Sequence, residues 1–366
     1  MLIKYGLCYN SGVDIKKLIK PNIRALRAYQ AEEIPCRIKL DANESPYSAI
    51  SSQSGSTRTE QSAVSFKNNL QTLNRYPDPQ ATTIRKLIAK ELKVKPQNIL
   101  HGNGSDELIY NLISVFGGPV LYPGPTFSMY GIISQALGEK KVEVPLDNKF
   151  DLDVKKMLAA IKKYKPKLVF LSSPNNPTGN CFSEDRILKI IRQSKGLVIV
   201  DEAYQPFSDK KSFVPLIRKY KNLVILRTLS KIGLAGLRVG FMITGPDIIN
   251  EVNKVRLPFN VNVLSQKVAS EALQNRRQMK SDIRAIISGR KRLYKELSEM
   301  DGVIPYPSDA NFIFFKVEDG NRIYGGLLDK GVLIRNMNSV GDGFLRVTIG
   351  TPQENEIFIK TLKQVL

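Results

Sequence analysis

Apolar and polar positions along this chain alternate in two distinct periods. Runs rich in β-branched and large apolar residues occur at residues 167–173 (KLVFLSS), 196–204 (GLVIVDEAY), 222–230 (NLVILRTLS) and 239–245 (VGFMITG). They are too short for helices and are apolar at consecutive positions, the pattern of strands buried on both faces. Residues 83–92 (TIRKLIAKEL) and 183–195 (SEDRILKIIRQSK) instead carry apolar residues at helical spacing. Residues 98–116 (NILHGNGSDELIYNLISVF) read as a short strand, a Gly turn and a helix. Strands alternating with helices predict an α/β fold, with a mostly parallel central sheet covered by helices on both faces.

A long helical pattern from about residue 265 to 300 breaks this alternation. Beyond it, residues 311–317 (NFIFFKV), 331–337 (GVLIRNM) and 344–350 (FLRVTIG) predict the strands of a smaller α+β domain. The expected organisation is an N-terminal arm over residues 1–40 packing with the small domain, a large domain over 41–260 and a small domain over 261–366. The arm has a candidate short helix at 15–19, and the Ser-rich stretch 48–65 reads as a surface loop.

With 366 residues, one hydrophobic core is not expected to serve the whole chain. No apolar run approaches the roughly 20 residues of a membrane helix, and residues 1–17 lack the apolar stretch of a signal peptide. The three cysteines, Cys8, Cys36 and Cys181, are odd in number and widely spaced. They predict reduced thiols in a cytoplasmic protein, with no disulfide framework and no metal site. The formal net charge of +21 admits attraction of anionic ligands or of nucleic acid. Its densest cluster, Arg276 to Arg292, lies on a helix-like segment and reads as a solvated helix face.

Polar clusters stand where strands end, the place where open α/β sheets bind ligands. Residues 101–106 (HGNGSD) offer two glycines for close backbone approach and a Ser105 able to cap the next helix, whose free N–H groups suit phosphate. The plain alternative is a capped turn. His101, the single histidine, reads as structural. Residues 173–179 (SPNNPTG) make a stiff turn with two side-chain amides. Asp201 closes the apolar run GLVIV, where a buried carboxylate calls for a cation or a helix to cap. Lys231 follows the hydroxyl residues Thr228 and Ser230 at another strand end, placed to become a nucleophilic amine if desolvated; those hydroxyls and Arg238 after it could hold phosphate. Arg335 and Arg346 follow apolar β runs, so at least one should point inward, toward an anion or an internal ion pair.

Taken in order, residues 40–46 (LDANESP), 75–78 (RYPD), 102–107, 173–179, 201–204, 228–238 and 345–351 (LRVTIGT) resemble the histidinol-phosphate aminotransferases, class II members of the fold-type I pyridoxal-phosphate (PLP) enzymes. The resemblance covers nearly the whole chain. It is specific for fold and cofactor and less so for substrate, since aromatic amino-acid aminotransferases and threonine-phosphate decarboxylases share most of these motifs. It implies pyridoxal 5′-phosphate as a Schiff base on Lys231, Asp201 against the pyridine nitrogen, and Tyr204 and Asn176 on the phenolic oxygen. Phe127 would stack on the ring, and Ser105, Asp106, Thr228, Ser230 and Arg238 would cradle the phosphate. Tyr76 would reach the partner subunit's cofactor phosphate, which implies a homodimer with shared sites. Arg346 would take the α-carboxylate of glutamate, and Tyr29 and Arg335 the substrate phosphate. The implied reaction moves an amino group between histidinol phosphate and 2-oxoglutarate, giving imidazole-acetol phosphate and glutamate, in histidine biosynthesis.

One departure from the family pattern is that only six residues separate Lys231 from Arg238, one fewer than in many relatives. A rival of another class, a PLP-binding transcription regulator, would need a DNA-binding domain. Only about 40 residues precede the first motif, so nucleic acid is not an expected partner.

Overall fold

The computed structural model describes Pro21 and residues 34–47 and 73–366. Tyr29, the expected helix at 15–19 and the Ser-rich stretch 48–65 lie outside the described residues. The strands are β1 (Ile38–Lys39), β2 (Ile99–Asn103), β3 (Val120–Gly124), β4 (Lys141–Pro145), β5 (Leu168–Ser172), β6 (Leu197–Asp201), β7 (Leu223–Thr228), β8 (Val239–Ile243), β9 (Ile304–Pro305), β10 (Phe312–Lys316), β11 (Val332–Leu333), β12 (Arg335–Asn336) and β13 (Phe344–Thr348).

Seven of them form the central sheet in the order β2-β8-β7-β6-β5-β3-β4, and only β8 runs antiparallel to its neighbours. The apolar runs at 167–173, 196–204, 222–230 and 239–245 are β5, β6, β7 and β8, the interior of this sheet. Their alternate residues feed two cores. Val169, Leu171, Val198, Val200, Leu223 and Ile225 face one side, where Ile84, Ile88, Ile187 and Ile190 come from covering helices. Leu168, Phe170, Ile199, Val224 and Leu226 face the other, against Leu108, Leu112, Tyr130 and Ile133. Helices on both faces explain why these strands are apolar at every position. Strands β3 and β4 carry Pro123 and Pro145, which mask them as turn segments in the sequence.

A second sheet, β12-β13-β10-β9, is antiparallel, and β1 pairs in parallel with β11. Residues 331–337, read as one strand, are thus split at Ile334 between two partners. The pairing of Ile38 with Val332 ties the segment before residue 40 to this second unit.

The helical stretch read as continuous is two helices, Val263–Gln274 and Arg276–Ser298, broken at Asn275. Val261, Ala269, Ala272, Leu273 and Met279 pack in the first core, while Ile286, Leu293 and Leu297 pack in the second. The change from the first core to the second falls inside the helix Arg276–Ser298, and Val263–Gln274 packs on the helix Thr82–Leu92. Of the basic cluster, Arg277, Lys280, Lys291 and Arg292 are exposed. Arg276 instead pairs with Glu91, and Arg290 donates to the carbonyls of Phe207 and Ala310. Among the described residues no helix is long and apolar enough to cross a membrane.

Candidate active site

Parallel strands deliver their carboxyl ends to one edge of the sheet, and the loops from β2, β3, β5, β6 and β7 meet there. A cavity of about 100 Å³ is lined by Ser105, Asp106, Phe127, Ser172, Asn176, Asp201, Ala203, Tyr204, Thr228, Ser230, Lys231 and Arg238. It adjoins a larger cavity of about 890 Å³ that shares Phe127, Asn176, Tyr204 and Lys231 and adds Asp41, Asn43, Arg335 and Arg346. Twelve of the fourteen residues singled out from the sequence are thereby brought together. Tyr76 is 80 % exposed and stacks on Phe259 with ring centroids 4.5 Å apart; it does not line either cavity of its own chain. Tyr29 lies outside the described residues.

At one end of the small cavity the helix Gly104–Phe116 begins against β8. The expectation that Ser105 caps this helix fails: Asn103 is the cap residue, and its N–H donates to the Glu107 carboxylate. Ser105 lies in the first turn, where backbone N–H groups have no partner within the helix. Glycines permit this packing. A Cβ on Gly240 would come within 2.5 Å of the Ser105 nitrogen, and one on Gly104 within 2.6 Å of Arg238 Nη2. The Thr228 and Ser230 hydroxyls are 2.9 Å apart at the end of β7. Arg238 pairs with Asp106 at 3.0 Å, both side chains half-exposed. The short link between Lys231 and Arg238 is closed by two 3₁₀ turns, Ser230–Ile232 and Ala235–Leu237, ending with Arg238 at φ 54°. Helix start, hydroxyls and guanidinium form a cradle for a phosphate dianion.

At the other end stands Asp201, 3 % exposed. Its Oδ2 accepts from the Tyr130 hydroxyl at 2.7 Å and its Oδ1 from the Ala203 N–H at 3.1 Å. Both donors are neutral, and burial pushes the carboxyl up to about 6. A buried carboxylate facing a cavity in this state suits a cationic ring nitrogen. The Tyr204 hydroxyl accepts from Asn43 Nδ2 at 3.0 Å, and Lys231 Nζ lies 5.8 Å from the Tyr204 ring centroid. Asn176 gives its amide oxygen to Arg346 Nη1 at 2.5 Å, which leaves its NH₂ group for other acceptors. These residues fit pyridoxal phosphate: a cradle for its phosphate, a carboxylate for its ring nitrogen, an amine for its aldehyde and donors for its phenolic oxygen.

Three residues of the site were not singled out from the sequence. Asp41 and Asn43 belong to residues 40–46, where polar residues follow the apolar end of β1, a signal present in the sequence. Asn43 is buried and held by Thr348 and Asn311. Tyr130 lies 71 residues from Asp201, and helical spacing in residues 129–136 marks it only as core.

The scaffold and this edge of the sheet define a cofactor-dependent group-transfer enzyme. The chain matches the family "Aminotransferase class I and II" over residues 37–362. It is 39 % identical over 360 residues to a histidinol-phosphate aminotransferase of Caldanaerobacter subterraneus subsp. tengcongensis, covering 96 % of this chain and 99 % of that protein. Among solved structures, the histidinol-phosphate aminotransferase from Clostridium acetobutylicum superposes with a TM-score of 0.81 at 25 % identity, covering 90 % of this chain and 98 % of that one. That from Sinorhizobium meliloti, in complex with pyridoxal-5′-phosphate, superposes with a TM-score of 0.84 at 22 % identity, covering 95 % and 97 %. The chain belongs to the class I and II aminotransferases, which are PLP-dependent enzymes.

Proposed function

We propose that this aminotransferase exchanges the amino group of histidinol phosphate with 2-oxoglutarate, the histidine-biosynthetic reaction, as a cytoplasmic homodimer. One observation carries the substrate assignment: two arginines, Arg335 and Arg346, line one cavity together with Lys231, in a chain whose relatives are histidinol-phosphate aminotransferases. Glutamate brings an α-carboxylate, and histidinol phosphate brings a phosphate monoester. A site serving both needs cations for two anions, and paired guanidinium hydrogen bonds hold either.

Bound pyridoxal phosphate supplies an electron sink that stabilises negative charge at the substrate's Cα. The chain's residues do the rest. Ser105 and Asp106 (through their backbone), Thr228, Ser230 and Arg238 hold the phosphate, and Phe127 packs on the ring. Asp201 keeps the ring nitrogen protonated. Asn176 and Tyr204 donate to the phenolic oxygen; the bond from Asn43 into the Tyr204 oxygen leaves that hydroxyl proton free to point there. Lys231 holds the cofactor between turnovers, and its Nζ takes the proton from Cα. Arg346 orients the carboxylate of glutamate, and Arg335 with Tyr29 the phosphate of histidinol phosphate.

The exposed stacked pair Tyr76 and Phe259 supports a second copy of this chain as partner, with Tyr76 reaching the neighbouring site.

The test is a single-turnover half-reaction of the PLP form with histidinol phosphate, glutamate and phenylalanine in turn. Rapid conversion by the first two and slow conversion by phenylalanine is expected. A preference for phenylalanine, or release of carbon dioxide from threonine phosphate without a keto acid, overturns the reading.

A further inference from the structure

Tyr130 is fully buried in the helix Met129–Ala136. Its ring stacks on Phe170 at 4.8 Å and 17° and meets Phe127 edge-on at 5.6 Å and 87°. These contacts fix the phenol so that its hydroxyl lies 2.7 Å from Asp201 Oδ2. We propose that Tyr130 is a positioning residue for the cofactor: its hydroxyl sets the orientation and charge state of Asp201 that a protonated pyridine nitrogen requires. The inference rests on the reading that Asp201 faces that nitrogen.

Burying a carboxylate is costly. Burial raises the Asp201 carboxyl, and the nearby acids Asp106 and Glu202 raise it further. Against them stand the hydrogen bonds from Tyr130 and from the Ala203 amide, which favour the ionised form. The other titratable groups on the same cavity are Asp106, Tyr204, Lys231 and Arg238. Tyr130 itself is held well above the usual phenol range, first by burial and then by Asp201. It is therefore a neutral donor throughout the working pH range. A carboxylate can only accept, so the hydroxyl proton must point at Oδ2. Without that donor, the remaining bond to Asp201 among the described residues is the Ala203 amide to Oδ1, and Oδ2 is free to turn.

Tyr130→Phe removes the hydroxyl and keeps both ring contacts. The experiment measures PLP affinity of the apo-protein across pH for wild type, Tyr130→Phe, Asp201→Asn and the double variant, with Phe170→Leu as a control for packing alone. A hydrogen bond to a charged group corresponds to about a ten- to hundredfold change in equilibrium. Tyr130→Phe should weaken PLP binding by that amount at pH 7. The pH at which affinity rises should also move upward, because Asp201 then ionises at higher pH. In the Asp201→Asn background the same substitution should change affinity by less than about threefold. Phe170→Leu should leave the pH midpoint in place even where it lowers the unfolding midpoint. An unmoved midpoint and unchanged affinity in Tyr130→Phe overturn the proposal, as does an equal loss in both backgrounds or an equal shift in Phe170→Leu. If Asp201→Asn binds PLP as tightly as wild type at every pH, the Asp201 reading itself fails, and this inference with it.

Discussion

Arg335 and Arg346 stand directly opposite each other, in register, where β12 pairs with β13. Opposed residues of an antiparallel pair share a face of the sheet, and like charges so placed are unfavourable. Arg346 is buried, donating to the Asp41 carbonyl at 2.6 Å and to Asn176. Arg335 is less buried, and its charge bears on the carboxylate of Asp41. On the proposed function, an anionic substrate entering their common cavity would relieve the repulsion. Removing one partner from a desolvated ion pair costs about 2–5 kcal/mol, roughly 30- to several-thousand-fold. Arg335→Ala should therefore depress single-turnover rates with histidinol phosphate far more than with phenylalanine. Arg346→Ala should depress all donors, because it also releases Asn176. Equal losses with both donors in Arg335→Ala would remove the phosphate assignment.

Asp201 makes the apo-protein less stable than it could be. Its folded-state carboxyl lies at about 6, above the usual 3.8. Between those values the folded state binds more protons than the unfolded one, so stability falls as pH rises through that window. Above pH 6 the full cost is about 3 kcal/mol. Apo Asp201→Asn should accordingly be more stable than apo wild type at pH 7 by up to about that amount, and the difference should vanish below pH 4. Denaturant titrations at the two pH values decide it, and an apo variant less stable at pH 7 would contradict the assignment.

His101 has the opposite pH dependence. It is buried with Nε2 3.4 Å from Arg256 Nη1. Burial, then the charges of Arg256 and Arg85, lower it from 6.5 to about 4. Between pH 6.5 and 4 the unfolded state takes a proton that the folded state refuses, so this residue removes about 3 kcal/mol as the solution is acidified. The stability of wild type relative to His101→Gln should fall across that window and be constant above pH 7. Parallel curves for the two proteins would show that the ring titrates normally.

Tyr76 tests the proposal of a shared site. Its ring is exposed beside Phe259, away from its own chain's cavities. Mixing Tyr76→Phe with Lys231→Ala subunits should produce hybrids in which one site has both native residues, with activity above that of the Lys231→Ala protein and cofactor affinity above that of the Tyr76→Phe protein. Full activity in a protein that sediments as a monomer would exclude action in trans.

The apolar runs of β5, β6, β7 and β8 were legible because strands covered on both faces must be apolar at every position. The polar residues that end them, Asp201, Thr228 and the Ser230–Lys231 pair, were legible because burial there is costly without a purpose. Local pattern reports which face of an element is buried, and where that element ends. It does not report what lies across the gap. The sequence separations of 71 from Tyr130 to Asp201 and 161 from Asn43 to Tyr204 are closed only by strand order and helix packing. The same holds for the register that sets Arg335 against Arg346, and for the helix Val263–Gln274, whose apolar face would suit either core. The chemistry was thus written in residue types at strand ends. Which of those residues touch, and so what charge each one carries, was decided by the tertiary structure, because hydrogen bonding and desolvation depend on distances of a few ångströms that sequence spacing does not fix.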